Sequence, residues 1–282
     1  MSRAGETVRS GFARGGIELR HTFTTSMDVW NYLLPAAILT VVMIFMRDST
    51  VEGTSFSLGS VTMPGALGVT IAFGGLSTLV QVLTIEREDG TLLRAKAIPN
   101  GMVGYLIGKI VLVSGMTAVG FTILLVPGLM LFDGFALGLG SWLTLAWVAV
   151  LGLAATLPIG AILGSLFANP RNAGLGMLVV MGLVAVSGVF YPLASYPEWL
   201  RWIGQSFPIY WTGLGMRSAL LPDELAMVEI GQSWRHLETV GVLAAWTVAG
   251  MIVAPAVLRR MARRESGSSV AARRERALRR IT

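Results

Sequence analysis

Six uncharged stretches constrain this chain more than any other feature of its sequence. They cover 29–46, 53–85, 110–132, 134–170, 172–197 and 239–258. A bilayer core about 30 Å thick takes about 20 apolar residues as a helix, so the stretches read as six spans. The second and fourth are longer than one span needs, but Gly, Ser and Pro gather at their starts, which read as loop. The spacing predicts helices over 29–47, 64–85, 102–126, 142–168, 173–193 and 239–258. The fold class is therefore an all-α integral membrane protein with six transmembrane helices. Composition agrees, with 54% hydrophobic and 13% charged residues, where soluble domains carry about a quarter charged residues. A soluble enzyme is excluded on that balance. The absence of cysteine removes disulfide and Cys-ligated zinc architectures, and His21 and His236 are too far apart in sequence to suggest a metal site.

Basic residues orient the spans. An even number of spans leaves both termini on one side, and 18 of the 22 Lys and Arg residues fall there. Arg47, Arg201, Arg217 and Arg235 are left on the other. Both termini are expected in the cytoplasm. The basic balance thus has a topological cause, and no nucleic acid is expected as partner: no aromatics interleave the tail arginines as a single-strand binder would need. Three regions follow: residues 1–28, a six-span domain over 29–258, and an Arg-rich cytoplasmic tail over 259–282. In the first, Phe12, Gly16, Leu19, Phe23 and Met27 recur on one helical face, which reads as an amphipathic helix on the inner leaflet, in contact with membrane lipids. Twenty arginines against two lysines suggest a GC-rich bacterial genome, and so a bacterial plasma membrane.

The membrane part lacks chemistry of its own. No ionisable group sits deep in a span, since Asp28, Asp133 and Lys109 lie near span ends, where Lys109 can snorkel to the headgroups. No catalytic constellation is visible, so no enzyme activity is expected of this chain. Gly104 and Gly108 before Lys109 have the wrong spacing for a phosphate loop, and read instead as a small-xxx-small helix contact. Energy for uphill movement must come from a partner.

Two segments are neither simple spans nor simple loops. Glu86-Arg87-Glu88-Asp89-Gly90-Thr91-Leu92-Leu93 and the residues up to Pro99 form a cytoplasmic knob, with a short helix opening near Asp89 or Thr91 and stopping at Pro99. Leu92 and Leu93 projecting among charges suit docking into another protein. After span five, eight aromatics fall within 190–211, which marks a membrane interface. Ser195 and Glu198 have capping-box spacing, so a short helix is expected from Pro197 to about Ile203, carrying Trp199 and Trp202. A second starts at Pro208 and reaches about Leu220, past Arg217. Both are too short to span and read as an outer re-entrant pair, the alternative being a surface loop with an aromatic anchor.

The Glu86 to Leu92 run, and the succession Gly188-Val189-Phe190-Tyr191-Pro192, Pro197-Glu198-Trp199-Leu200, Pro208 and Met216-Arg217-Ser218-Ala219-Leu220, resemble the ABC-2 type exporter permeases. That family includes drug-resistance, polysaccharide and teichoic acid exporters. Many members carry an acid where this chain has Leu93. The resemblance implies two permeases, identical or paralogous, paired in the membrane. Each presents residues 86–93 as a coupling helix to one of two separate ATPase subunits, which hold the ATP and magnesium. This chain itself carries no cofactor. Span two aligns Thr70, Ser77, Gln81 and Thr84 in one polar stripe with Phe73 beside it, which fits either a substrate path or helix packing. By the resemblance, span five, with Ser187 and Phe190, faces the same axis. With no charge in any span, amphiphilic or drug-like cargo is favoured, and export of a lipid-linked molecule or polysaccharide is the alternative within the family. A scaffold or sensor without transport is the alternative from another class.

Overall fold

Ser57 shows how the longest apolar segment becomes a helix. Its hydroxyl accepts from the Ser60 backbone N–H at 3.1 Å, a cap for one of the unpaired donors at a helix start. The computed structural model describes residues 3–24, 26–49, 56–98, 100–167, 170–189 and 193–264. Among them the elements are helical: α1 (Arg3–Thr24), α2 (Ser26–Phe45), α3 (Leu58–Glu88), α4 (Thr91–Lys96), α5 (Gly101–Leu131), α6 (Leu139–Leu166), α7 (Pro170–Ala185), α8 (Glu198–Ser206), α9 (Pro208–Leu220) and α10 (His236–Arg264). Short 3-10 turns flank α8 and link α9 to α10.

Among the described residues four helices, α3, α5, α6 and α10, are long and apolar enough to cross a membrane. α2 and α7 contain shorter apolar helical segments, Leu34–Phe45 and Gly174–Ala185. Several boundaries differ from expectation. α3 starts at Leu58 rather than 64, because the Ser57 cap acts ahead of Pro64, which is carried inside the helix. α5 likewise continues through Pro127 to Leu131. A proline inside an apolar helix is tolerated where neighbouring helices re-satisfy the backbone. α7 ends at Ala185, before Gly188 turns the chain at a φ of +73°. α10 runs past 258 into the Arg-rich segment, since Leu258 and Met261, three residues apart, both have apolar neighbours to bury against.

α3 is the hub, packed on α6, α9 and α5, with α2 and α7 at its flanks. Met63, Leu67 and Ile71 meet Leu124 of α5, Val148 of α6 and Met216 and Leu220 of α9. α9 is buried from Pro208 to Arg217, wedged among α3, α6 and α10. Lipid tails are as apolar as leucine, so close approach rather than hydrophobic burial holds such helices together. A Cβ on Gly68 would lie 2.5 Å from the Gly213 Cα and 2.6 Å from its nitrogen, so α3 and α9 touch backbone to backbone. Gly68→Val is expected to destabilise the protein by about 1–3 kcal/mol, the usual cost of overpacking. Gly16→Val, where nothing lies within 4 Å, serves as the control. Thermal unfolding in detergent checks both.

α1 lies against α5 through its glycines. Gly11 faces Gly104 and Ile107, Gly15 faces Gly108 and Val111, and Leu19 covers Gly115. On the face expected at the leaflet, Phe12 is 58% exposed and Gly16 has no neighbour within 4 Å. The helix docks by the stripe that lets backbones approach, and leaves its bulky apolar flank open. Met27 lies outside the described side chains.

Candidate functional site

The polar stripe of α3 borders a cavity of about 450 Å³ between α2, α3 and α5, with Thr22 of α1 at its edge. Thr70, Phe73, Ser77 and Gln81 all line it, and so do Thr78, Leu39, Leu112 and Met116. None of the described lining residues is charged. The helical steps of seven and four between Thr70, Ser77 and Gln81 put them on one face, and that face looks away from the α6 and α9 contacts. Thr84, the last residue of the stripe, does not line the cavity. It is buried, and its hydroxyl donates to the Val80 carbonyl at 2.7 Å.

Span five is not brought to this cavity. Ser187 is 1% exposed, follows the end of α7, and donates to the Val184 carbonyl at 2.6 Å. α7 packs instead on a different flank of α3, where Val180 and Val184 meet Ala72 and Leu76 and Phe73 is a peripheral neighbour. Within the single chain Ser187 thus lies apart from Ser77, with its hydroxyl folded back on its own backbone just before the turn at Gly188. Phe190 and Pro192 lie outside the described residues.

At its cytoplasmic end α3 runs straight into the knob. The Asp89 backbone N–H donates to the Ile85 carbonyl at 3.0 Å, and Gly90 turns the chain at a φ of +81°, a conformation that favours glycine. The Thr91 N–H then donates to the Asp89 carboxylate at 2.7 Å to open α4. The eight residues expected to meet a partner divide. Arg87 is buried and donates to the Ser165 and Phe167 carbonyls at 3.0 and 2.9 Å, closing the end of α6. Leu92, expected to project, is 2% exposed and packs with Leu83, Tyr105 and Met261. A two-turn helix with one apolar side buries that side on its own bundle first. Glu86 is engaged within the chain. Asp89 is exposed, Gly90, Thr91 and Leu93 are half-buried, and the side chain of Glu88 lies outside the described ones. Arg94, Lys96 and Ile98 complete the outward face, a part of the surface beyond the expected eight residues.

Three elements converge beside that root. Lys109 of α5 is 2% exposed, with its Nζ 2.5 Å from Glu18 Oε2 of α1 and 2.5 Å from Glu86 Oε1 of α3. The Tyr105 hydroxyl donates to Glu86 Oε2 at 2.5 Å, and Arg14 holds the other Glu18 oxygen at 2.8 Å. Burial raises the Glu18 pKa, but hydrogen bonds and charge from Lys109 and Arg14 outweigh it and hold the carboxyl below its ordinary value. Lys109 does not snorkel as expected; it finds two carboxylates inside the protein before it reaches headgroups. The sequence signal was Tyr105 and Lys109 at i and i+4 on α5, which shows one face but not its partners.

On the opposite end, Arg217 of α9 pairs with Glu229, Nε to Oε1 at 2.6 Å, with both side chains about 5% exposed. Arg217 Nη2 and Glu229 Oε2 have no hydrogen-bond partner among the described residues. The pair ties the 3-10 turns after α9 to the wedge. Pro197 precedes α8, and Pro208 opens α9. Trp199 and Trp202 of α8 are 64% and 68% exposed.

No curated protein matches this sequence. A family model described as ABC-2 family transporter protein matches residues 44–254, from the end of α2 through most of α10. That match takes in the cavity helices α3 and α5, the knob and the α9 wedge, and the chain belongs to the ABC-2 family of transporter proteins.

Proposed function

We propose that this chain is the membrane permease subunit of an ATP-driven ABC exporter, moving an amphiphilic or drug-like molecule outward by alternating access. One observation carries the reading: α3 bears the uncharged cavity stripe and, at its inner end, the root of α4. A push on α4 therefore reaches the cavity through one continuous helix. Six spans are proposed, α2, α3, α5, α6, α7 and α10, with both termini cytoplasmic in a bacterial plasma membrane and α8 with α9 as a re-entrant pair on the outer side. Two copies, or a copy and a paralogue, would receive two ATPase subunits holding ATP and magnesium. Only a free-energy difference between inward and outward states can drive the change, and nucleotide binding on the partner supplies it. A cavity of about 450 Å³ falls in the range of small-molecule sites, which favours a drug-sized cargo over a polysaccharide.

Because Arg87 and Leu92 support the fold, the test uses the outward residues. Arg94→Glu with Ile98→Asp, which leaves the Asp89 cap of α4 in place, is expected to abolish capture of the cognate ATPase subunit and cargo-stimulated ATP hydrolysis, while thermal stability stays near that of the parent. Hydrolysis and capture at parental levels in that variant would contradict coupling through α4.

A further inference from the structure

Helical Ser and Thr residues of this protein mostly turn their hydroxyls back on their own backbone. Thr70 donates to the Ala66 carbonyl at 2.9 Å, Thr156 to the Gly152 carbonyl at 2.8 Å and Thr212 to the Pro208 carbonyl at 2.9 Å. Ser77, Thr78 and Gln81 make no side-chain hydrogen bond to a described residue, and all three line the cavity, Ser77 and Thr78 in its wall at 6% and 9% exposure. Behind the same wall Thr117 of α5 is 1% exposed with an unpartnered hydroxyl, against Gly74, which also lines the cavity. The Thr117 hydroxyl is a buried hydrogen bond left unmade among the described residues, which is costly, and beside it Ser77, Thr78 and the more exposed Gln81 offer polar groups to the cavity. Thr22 and Thr70 also border it, with their hydroxyls turned onto their own helix backbone, and Phe73, Leu39, Leu112 and Met116 make the apolar wall.

We infer that this cavity is a binding site, complete within one protomer, for a single-chain amphiphile with an uncharged, hydrogen-bonding head. Ser77, Thr78 and Gln81 read the head, and Phe73, Leu39 and Met116 hold the apolar body. These three polar residues lie on the Glu86 side of the stripe, so the head points toward the cytoplasm and the tail toward the bilayer middle. An anionic or cationic head would meet no countercharge among the described lining residues, none of which is charged, and would lose its hydration without compensation. Identification of this ligand as cargo rests on the proposed exporter function; its binding does not.

The test uses the full chain in nanodiscs of phosphatidylethanolamine and phosphatidylglycerol, with three photoreactive probes sharing a decyl tail: a glucoside, a phosphate and a trimethylammonium. The glucoside is expected to label α3 and α5 peptides at least roughly tenfold more than either charged probe. Ser77→Ala with Gln81→Leu should lower that labelling roughly tenfold, the effect of losing two hydrogen bonds, whereas Gln81→Asn retains it. Ser77→Asp should turn the preference to the trimethylammonium probe. Equal labelling by all three heads, or labelling unchanged in the double variant, overturns the proposal. Absence of ATP-driven transport with the glucoside preference intact would instead remove the exporter reading and leave the site.

Discussion

Replacing Lys109 with methionine is expected to be among the most disruptive single changes in this chain. The substitution leaves Glu18 and Glu86, each 2.5 Å from the lost Nζ, facing one another with Arg14, on the far oxygen of Glu18, as the remaining cation of the cluster. Breaking a buried pair by removing one partner costs about 3–5 kcal/mol; Glu18 retains 26% exposure and Glu86 15%, so the lower end applies. Part of that cost should be recovered in Lys109→Met with Glu18→Gln and Glu86→Gln, because the like charges are gone. Thermal unfolding and protease cleavage within α1 read the two effects. A midpoint equal to the parent's in the single variant would show that the lysine does not hold α1 to the bundle.

The same cluster carries a pH dependence whose sign is fixed. A carboxyl held below its ordinary value in the folded state stabilises that state above the ordinary carboxylate range, and the contribution is lost as pH falls through the folded value. Glu18 is such a group, so α1 should loosen on acidification. Function follows from position. Thr22 and Ile85 line the cavity, one turn from Glu18 and beside Glu86, so the cluster joins α1, the root of α4 and the inner end of the cavity. In the Lys109 variant ATP hydrolysis should persist while transport per ATP falls.

Arg217→Met should be comparably severe at the other end. Glu229 would remain buried at about 5% exposure with no cation beside it, a loss of about 3–5 kcal/mol. Arg217→Met combined with Glu229→Met removes both charges and should return most of the stability, since well-packed apolar pairs replace buried ion pairs at little cost. Thermal unfolding of the two variants decides: a double variant no more stable than the single would mean that packing around Arg217, rather than the stranded charge, sets the loss.

Much of the architecture was legible because the bilayer imposes a length and a polarity on each helix. The stripe of Thr70, Ser77 and Gln81 was placed on one face by helical spacing alone, and the cavity lies along it. Hidden features were those that depend on three elements meeting. Lys109 near a span end reads as a snorkelling residue until α1 is seen against α5. Leu92 among charges reads as projecting until Met261, carried in by the unexpected extension of α10, is seen beneath it. The docking face of α1 was hidden because glycines carry no hydrophobic signal, although Gly11 and Gly15 let the backbones approach. Ser187 was assigned by family likeness, which does not show where α7 ends.

Transport itself tests the central claim most directly. Proteoliposomes containing this permease with its ATPase subunits outward should move a fluorescent single-chain neutral amphiphile into the lumen when ATP and magnesium are added. Arg94→Glu with Ile98→Asp should abolish that movement. Amphiphile movement that is the same without ATP, or is unchanged by the α4 variant, would contradict a permease driven through its cytoplasmic helix.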